Sequence, residues 1–281
     1  MTTPLRIGIA GLGNVGASVF RLLQTNGDAL TARTGRIFQV TAVSARDKSR
    51  DRGIDLSGVT WHDDPRALAN DPNVDIVVEL MGGAEGAAYD LIAGALTSGK
   101  DVVTANKALL ASRGGDVLSL LNASTGVIAY EAAVAGGIPV IKGLREGLAA
   151  NQVQAIYGIL NGTCNFILST MTETGRDFGD VLAEAQQRGY AEADPSFDVD
   201  GVDAGHKLSI LSGLAFGCLP DVKNIELKGI RGVTALDIAF ADELGYRIKL
   251  LGIARKTARG IEQSVEPCLV PAASPIAAVG G

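Results

Sequence analysis

The chain has 281 residues, 47% hydrophobic and 20% charged, with a net charge of −6 at neutral pH; that is enough for one large or two modest domains and too apolar for a disordered chain. Its longest nearly apolar stretch, residues 208–219, is 12 residues long and holds two serines, short of the roughly 18–20 that cross a bilayer. The acidic balance also disfavours a phosphate-neutralising surface, so neither a membrane nor a nucleic acid is expected as a partner.

In chain order, the first half alternates short β-rich runs with helix-period stretches. Strands are predicted at 5–10, 38–44, 74–81, 101–104 and 126–130, with helices at 14–26, 87–98 and 115–122. This is the pattern of βαβ units on a parallel sheet. The second half reads as α+β: strands at 153–160, 225–229, 248–254 and 262–270 are separated by helices at 163–173, 178–188, 202–216 and 234–244. The Gly/Ala/Pro-rich stretch at 131–143 interrupts the alternation, which places a domain boundary between 1–135 and 136–281. Cys164, Cys218 and Cys268 lie far apart with no CxxC pair, and no basic-then-apolar leader precedes the first strand. A reducing, cytoplasmic setting is expected.

The first strand runs into Gly11, Leu12, Gly13, Asn14, Val15 and Gly16, and a helical period follows. Strand, GxGxxG and helix in succession form the dinucleotide-binding turn of a Rossmann-type sheet. Gly11 makes the turn, Gly13 admits a pyrophosphate, Gly16 lets helix and strand pack, and the helix N-terminus faces the anion. A glycine-rich turn without a ligand is the alternative. At the end of the second strand a carboxylate selects the ribose 2′-hydroxyl and an arginine selects a 2′-phosphate. Here Ser44 and Arg46 suit a phosphate, so NADP is expected ahead of NAD. The alternative is a solvated loop in which Asp47 and Asp51 offset the basic residues.

The strand at 101–104 delivers Asn106 and Lys107 to the carboxyl edge of the sheet, where ligands of such sheets bind. Asn106 suits a helix cap, whereas Lys107 in a first helical turn opposes the macrodipole, which gives weight to a functional role. Further along, Glu192, Asp194, Asp198, Asp200 and Asp203 precede Lys207. An EF-hand aligned on Ser196, Asp198 and Asp200 would need a glutamate where Lys207 stands, so calcium is not expected. Asp203 and Lys207 are either an i, i+4 surface pair or cleft residues in which carboxylates bind a substrate ammonium and the lysine relays a proton. His62, read as a loop residue beside Trp61, has no second metal ligand at a recognisable spacing.

Together these residues resemble homoserine dehydrogenase. The resemblance runs through Ala185, Gly189, Tyr190, Asp194, Pro195, Asp198, Val199, Gly201, Asp203 and Lys207, and is supported by residues 11–16, 104–107, 131–139 and 161–166. It implies NAD(P)-dependent interconversion of L-homoserine and L-aspartate 4-semialdehyde, on the route to threonine and methionine. It further implies Lys207 as the acid/base residue, Asp203 as its partner and a substrate contact, and Glu192 as a ligand of the amino acid, with Tyr190, Thr163 and Asp198 lining the site. Lys107 would be a second lysine near nicotinamide and substrate, Gly189 a cofactor contact, and Glu131, Val134, Gly136 and Ile138 main-chain ligands of a monovalent cation. The second domain would bind substrate and dimerise, and two-fold dimers are the commonest assembly, so a homodimer is expected. Family members continue beyond 274–281, so the C-terminus reads as short and no threonine-sensing regulatory domain is expected. Two other readings share the dinucleotide half: a reductase of another small amino or keto acid, and a non-catalytic NADP-binding sensor.

Overall fold

The computed structural model describes residues 3–280, and the chain divides into two compact units, 1–142 and 143–281. In the first, β1 (Leu5–Ala10) is buried from Ile7 onward, because its apolar residues face helices on both sides of a central strand. It leads to α1 (Asn14–Thr25), α2 (Gly27–Thr34), β2 (Phe38–Ser44), β3 (Thr60–His62), β4 (Ile76–Glu79), α3 (Ala87–Thr97), β5 (Asp101–Thr104), α4 (Lys107–Asn122), β6 (Ile128–Ala129) and the single turn α5 (Val140–Lys142). The strands lie in the order β3-β2-β1-β4-β5-β6 and pair in parallel throughout. Chain order reverses between β1 and β4, and the crevice at their carboxyl ends is where such sheets bind ligands.

Three features depart from the sequence reading. α2 has no buried residue, so no apolar period announced it. His62 closes β3 rather than lying in a loop, and its Nε2 is 2.8 Å from Asp71. The helix at 115–122 is continuous with a turn that starts at Lys107, so α4 is longer than its period suggested, and Asn106 caps it as its place suggested, accepting from the Leu109 amide at 3.1 Å. The helix kinks at Arg113, whose φ is −122°, directly before Gly114 and Gly115; such a pair weakens a helix.

The second unit carries β7 (Ala155–Gly158), α6 (Gly162–Thr174), α7 (Phe178–Gln187), α8 (Ser196–Val199), α9 (Val202–Phe216), β8 (Glu226–Leu227), α10 (Ala235–Glu243), β9 (Tyr246–Thr257) and β10 (Gly260–Pro271). Its sheet runs β7-β9-β10-β8, with antiparallel β7-β9 and β9-β10 pairs and a parallel β10-β8 edge. α6 and α9 pack on β9, enclosing Ile167, Leu168, Leu208, Leu250 and Val265. Lys249 is buried there and donates to Asn165, Ser169 and the Val279 carbonyl; desolvation pushes its pKa down. Among the described residues no helix is long and apolar enough to cross a membrane.

Candidate active site

The predicted phosphate turn lines a cleft of about 670 Å³ at the carboxyl ends of β1, β2 and β4, with Gly11, Gly13, Ser44, Arg46, Leu80 and Gly82 in its wall. Gly11 has φ +95° and a Cβ there would lie 2.6 Å from the Leu80 carbonyl oxygen; at Gly16 it would lie 1.9 Å from the Gly11 carbonyl oxygen. Larger residues would push strand, loop and helix apart. Gly13 is the opposite case, since nothing lies within 4 Å of a Cβ built on it, which leaves open space beside the turn. No side chain caps α1, and Asn14 and Val15 are exposed at its start. A helix start with no side-chain cap among the described residues, a positive dipole end and open space fit a pyrophosphate.

Ser44 is buried at the end of β2 and Arg46 is exposed in the cleft wall. Arg52 does different work from a phosphate ligand: its guanidinium donates to the carbonyls of Leu12 at 2.9 Å, Arg50 at 2.7 Å and Asp47 at 2.6 Å. It thereby ties the ribose-side loop to the glycine turn, with Trp61 stacked 5.7 Å away. The Asp47 carboxylate accepts from the hydroxyl and amide of Ser49, which hold its pKa low.

In the second unit, Asp203 and Lys207 occupy successive turns of α9. The Lys207 Nζ lies 2.6 Å from Asp203 Oδ2 and 2.7 Å from the Leu160 carbonyl oxygen. The side chains are 20% and 6% exposed, which rules out a solvated surface pair. Asn161 completes the cluster: its Nδ2 donates to Asp198 at 2.7 Å and to Asp203 at 2.9 Å, while its Oδ1 caps α6 by accepting from Cys164 N. Thr163 lies in the first turn of α6 and donates to the Tyr190 carbonyl at 2.8 Å; the exposed Tyr190 ring meets Phe166 edge-on. Gly189 follows α7 with φ +75°. Glu192 is exposed, and its main-chain carbonyl accepts from Gln186. Burial pushes the Cys164 thiol up to about 12, so it stays protonated, donating to the Asp198 carbonyl.

The structure therefore groups Lys207, Asp203 and Asp198 through Asn161, pairs Thr163 with Tyr190, and gathers Gly11, Gly13, Ser44 and Arg46 at one cleft. Lys107 opens α4 in the first unit. Glu131 opens a short 3-10 turn, and its carboxylate accepts from the amides of Ile141 and Lys142, leaving its main-chain oxygen as the group a cation would use. Val134, Gly136 and Ile138 follow in a bend where Ala135 and Gly137 take φ of +50° and +93°. Among the described residues no three His, Cys, Asp or Glu side chains are grouped to hold a metal. Two residues were given no role from the sequence: Asn161, which entered only within the stretch 161–166 that supports the resemblance, and Glu79, a lone acid ending an apolar strand.

Comparison with known proteins covers both units. The family described as Homoserine dehydrogenase matches residues 139–281, and Homoserine dehydrogenase, NAD binding domain, matches residues 11–131. A homoserine dehydrogenase of Neisseria gonorrhoeae is 48% identical over 99% of this chain and 63% of its own length. The crystal structure of a homoserine dehydrogenase from Thiobacillus denitrificans matches with a TM-score of 0.95 at 46% identity, over 100% of this chain and 64% of that one. A hyperthermophilic archaeal homoserine dehydrogenase in complex with NADPH matches with a TM-score of 0.82 at 26% identity, over 99% of this chain and 86% of that one. The chain thus spans less than two thirds of the Neisseria and Thiobacillus proteins, yet sequence and fold agree along its whole length: it belongs to the homoserine dehydrogenase family.

Proposed function

We propose that the protein interconverts L-homoserine and L-aspartate 4-semialdehyde with NADP, in the aspartate-derived route to threonine and methionine. The observation that carries this is the buried Asp203–Lys207 pair on α9, in a chain of this family. Removing two electrons from an alcohol requires a base for its hydroxyl proton, and the reverse reaction requires an acid for the developing alkoxide. Lys207 serves both directions at Nζ, with Asp203 and the Leu160 carbonyl fixing that nitrogen. Asp198 and Asp203 carry the negative charge that attracts the substrate ammonium, and Glu192, Tyr190 and Thr163 complete the amino-acid site.

A nicotinamide dinucleotide, when bound, supplies the two-electron acceptor or donor. Gly11, Gly13 and the amides of Asn14, Val15 and Gly16 would hold its pyrophosphate, Ser44 and Arg46 a 2′-phosphate, and Lys107 and Gly189 the nicotinamide end. NADP is favoured over NAD because Arg46 and Arg50 stand in the cleft wall, and a family member is solved with NADPH. A monovalent cation would use the carbonyls of Glu131, Val134, Gly136 and Ile138. Residues 1–135 then serve the cofactor and 136–281 the substrate and a homodimer contact, in the cytoplasm, where the free thiols of Cys164, Cys218 and Cys268 persist. Purified protein with homoserine and NADP should reduce the nicotinamide, read by absorbance. NADPH binding without turnover would favour the sensor reading instead.

A further inference from the structure

Glu79 ends β4 fully buried. Its hydrogen bonds among the described residues go to a hydroxyl and two main-chain amides: Oε1 accepts from Met81 N at 2.8 Å and Gly82 N at 3.2 Å, and Oε2 accepts from the Thr104 hydroxyl at 2.6 Å. A carboxylate is costly to bury unless its bonds are needed, and strand packing alone would be met by Leu or Met. Those bonds form a closed circuit. Thr104 Oγ1 accepts from Asn106 N at 3.0 Å, and Asn106 Nδ2 donates to the Gly83 carbonyl at 2.7 Å. Glu79 thus holds the start of loop 80–83, Asn106 holds its end, and Thr104 joins the two.

Both sides of this circuit face chemistry. Leu80, Met81 and Gly82 line the dinucleotide cleft, and the Leu80 carbonyl packs directly on Gly11. Asn106 is the cap of α4, whose first residue is Lys107. We infer that Glu79 is a positioning residue: through the amides of Met81 and Gly82 it shapes the cleft wall, and through Thr104 and Asn106 it sets the helix start that carries Lys107. The second half of this inference rests on the proposed role of Lys107; the first half does not.

Three variants separate positioning from mere stability. Glu79→Gln keeps an acceptor for the two amides and reverses the Thr104 bond, so the loop stays tied to Thr104 while the Thr104 hydroxyl proton loses its acceptor, a change that lowers stability rather than breaking the circuit. Glu79→Met breaks it at the loop, and Thr104→Val breaks it at the relay while filling the same space. Folded Glu79→Met should bind NADPH about fivefold more weakly, read by Trp61 fluorescence, and both breaking variants should lose kcat with homoserine by about tenfold or more. Glu79→Gln should stay within about threefold of the parent in both. If Glu79→Met does not fold, Glu79→Gln and Thr104→Val carry the test. Thr104→Val with unchanged kcat and merely a lower Tm would overturn the relay, and Glu79→Met with unchanged NADPH affinity, or Glu79→Gln with a tenfold loss, would overturn the hold on the loop. If the parent protein binds NADPH but does not oxidise homoserine, the functional reading fails and the half of the inference that concerns Lys107 falls with it, while the binding series still decides the hold on the loop.

Discussion

At the scale of single residues, Lys207 commits two of its three N–H donors, to Asp203 and to the Leu160 carbonyl. Replacing it with Met should lower kcat by about 10²–10⁴-fold, the usual worth of a general acid/base. Asp203 keeps its bond from Asn161, so the stability loss in urea unfolding should be about 1–3 kcal/mol. A loss of about 3–5 kcal/mol with turnover intact would make the lysine a structural partner instead. Arg46 tests cofactor choice: Arg46→Ala should raise the Kd for NADPH by about tenfold, the worth of a bond to a charged phosphate, and leave NADH unchanged. Equal weakening of both would remove the 2′-phosphate role. Neither Asn161 nor Glu79 was singled out as a site residue, since an amide before a helix and an acid at a strand end have ordinary local uses, as their bonds from Cys164, Met81 and Gly82 show, whereas Asp198, Asp203 and Thr104, which tie them into larger networks, lie 25 to 42 residues away.

Among secondary-structure elements, the tie between β1 and the residue preceding β4 is ionic. Asp75 accepts from Arg6 through its main-chain amide at 2.9 Å, Nε at 3.0 Å and Nη2 at 2.6 Å. The Arg6 bond holds the Asp75 carboxyl below the usual carboxylate range. A carboxyl depressed by folding contributes stability above its unfolded value of about 3.9, and that contribution is lost as pH falls through the folded value. The side chains are 36% and 34% exposed, so solvent screening keeps the effect modest. Urea unfolding of the parent and Asp75→Asn should therefore differ at neutral pH and converge below about pH 4; a constant difference would show that the ion pair adds nothing. Elements with a clear period were legible: β5 and α9 begin and end where their patterns predict. β3 and α2 were not, because a three-residue edge strand depends on β2 for its pairing and α2 buries nothing.

Across the whole molecule, each unit has its own apolar core, one around Ile9, Phe20 and Val43 and the other around Ile167, Leu208 and Val265. The single tryptophan, Trp61, belongs to the first. Its fluorescence therefore reports on the unit that holds the dinucleotide cleft. NADPH at 100 times its Kd should stabilise that unit by about 2.7 kcal/mol and raise the Trp61 midpoint by about 5–10 °C. An unmoved midpoint at saturating NADPH would count against the cleft.

The sequence by itself determined the alternation of strands and helices, the glycine turn and the one-turn spacing of Asp203 and Lys207, because periodicity and backbone sterics act over a few neighbouring residues. Only the tertiary structure decided what those groups meet. Leu160 reaches Lys207 across 47 residues, Asn161 reaches Asp203 across 42, and Thr104 reaches Glu79 across 25. A hydrogen bond needs its partners within about 3 Å, and contacts of that reach are set by how sheets and helices pack, which no local pattern records.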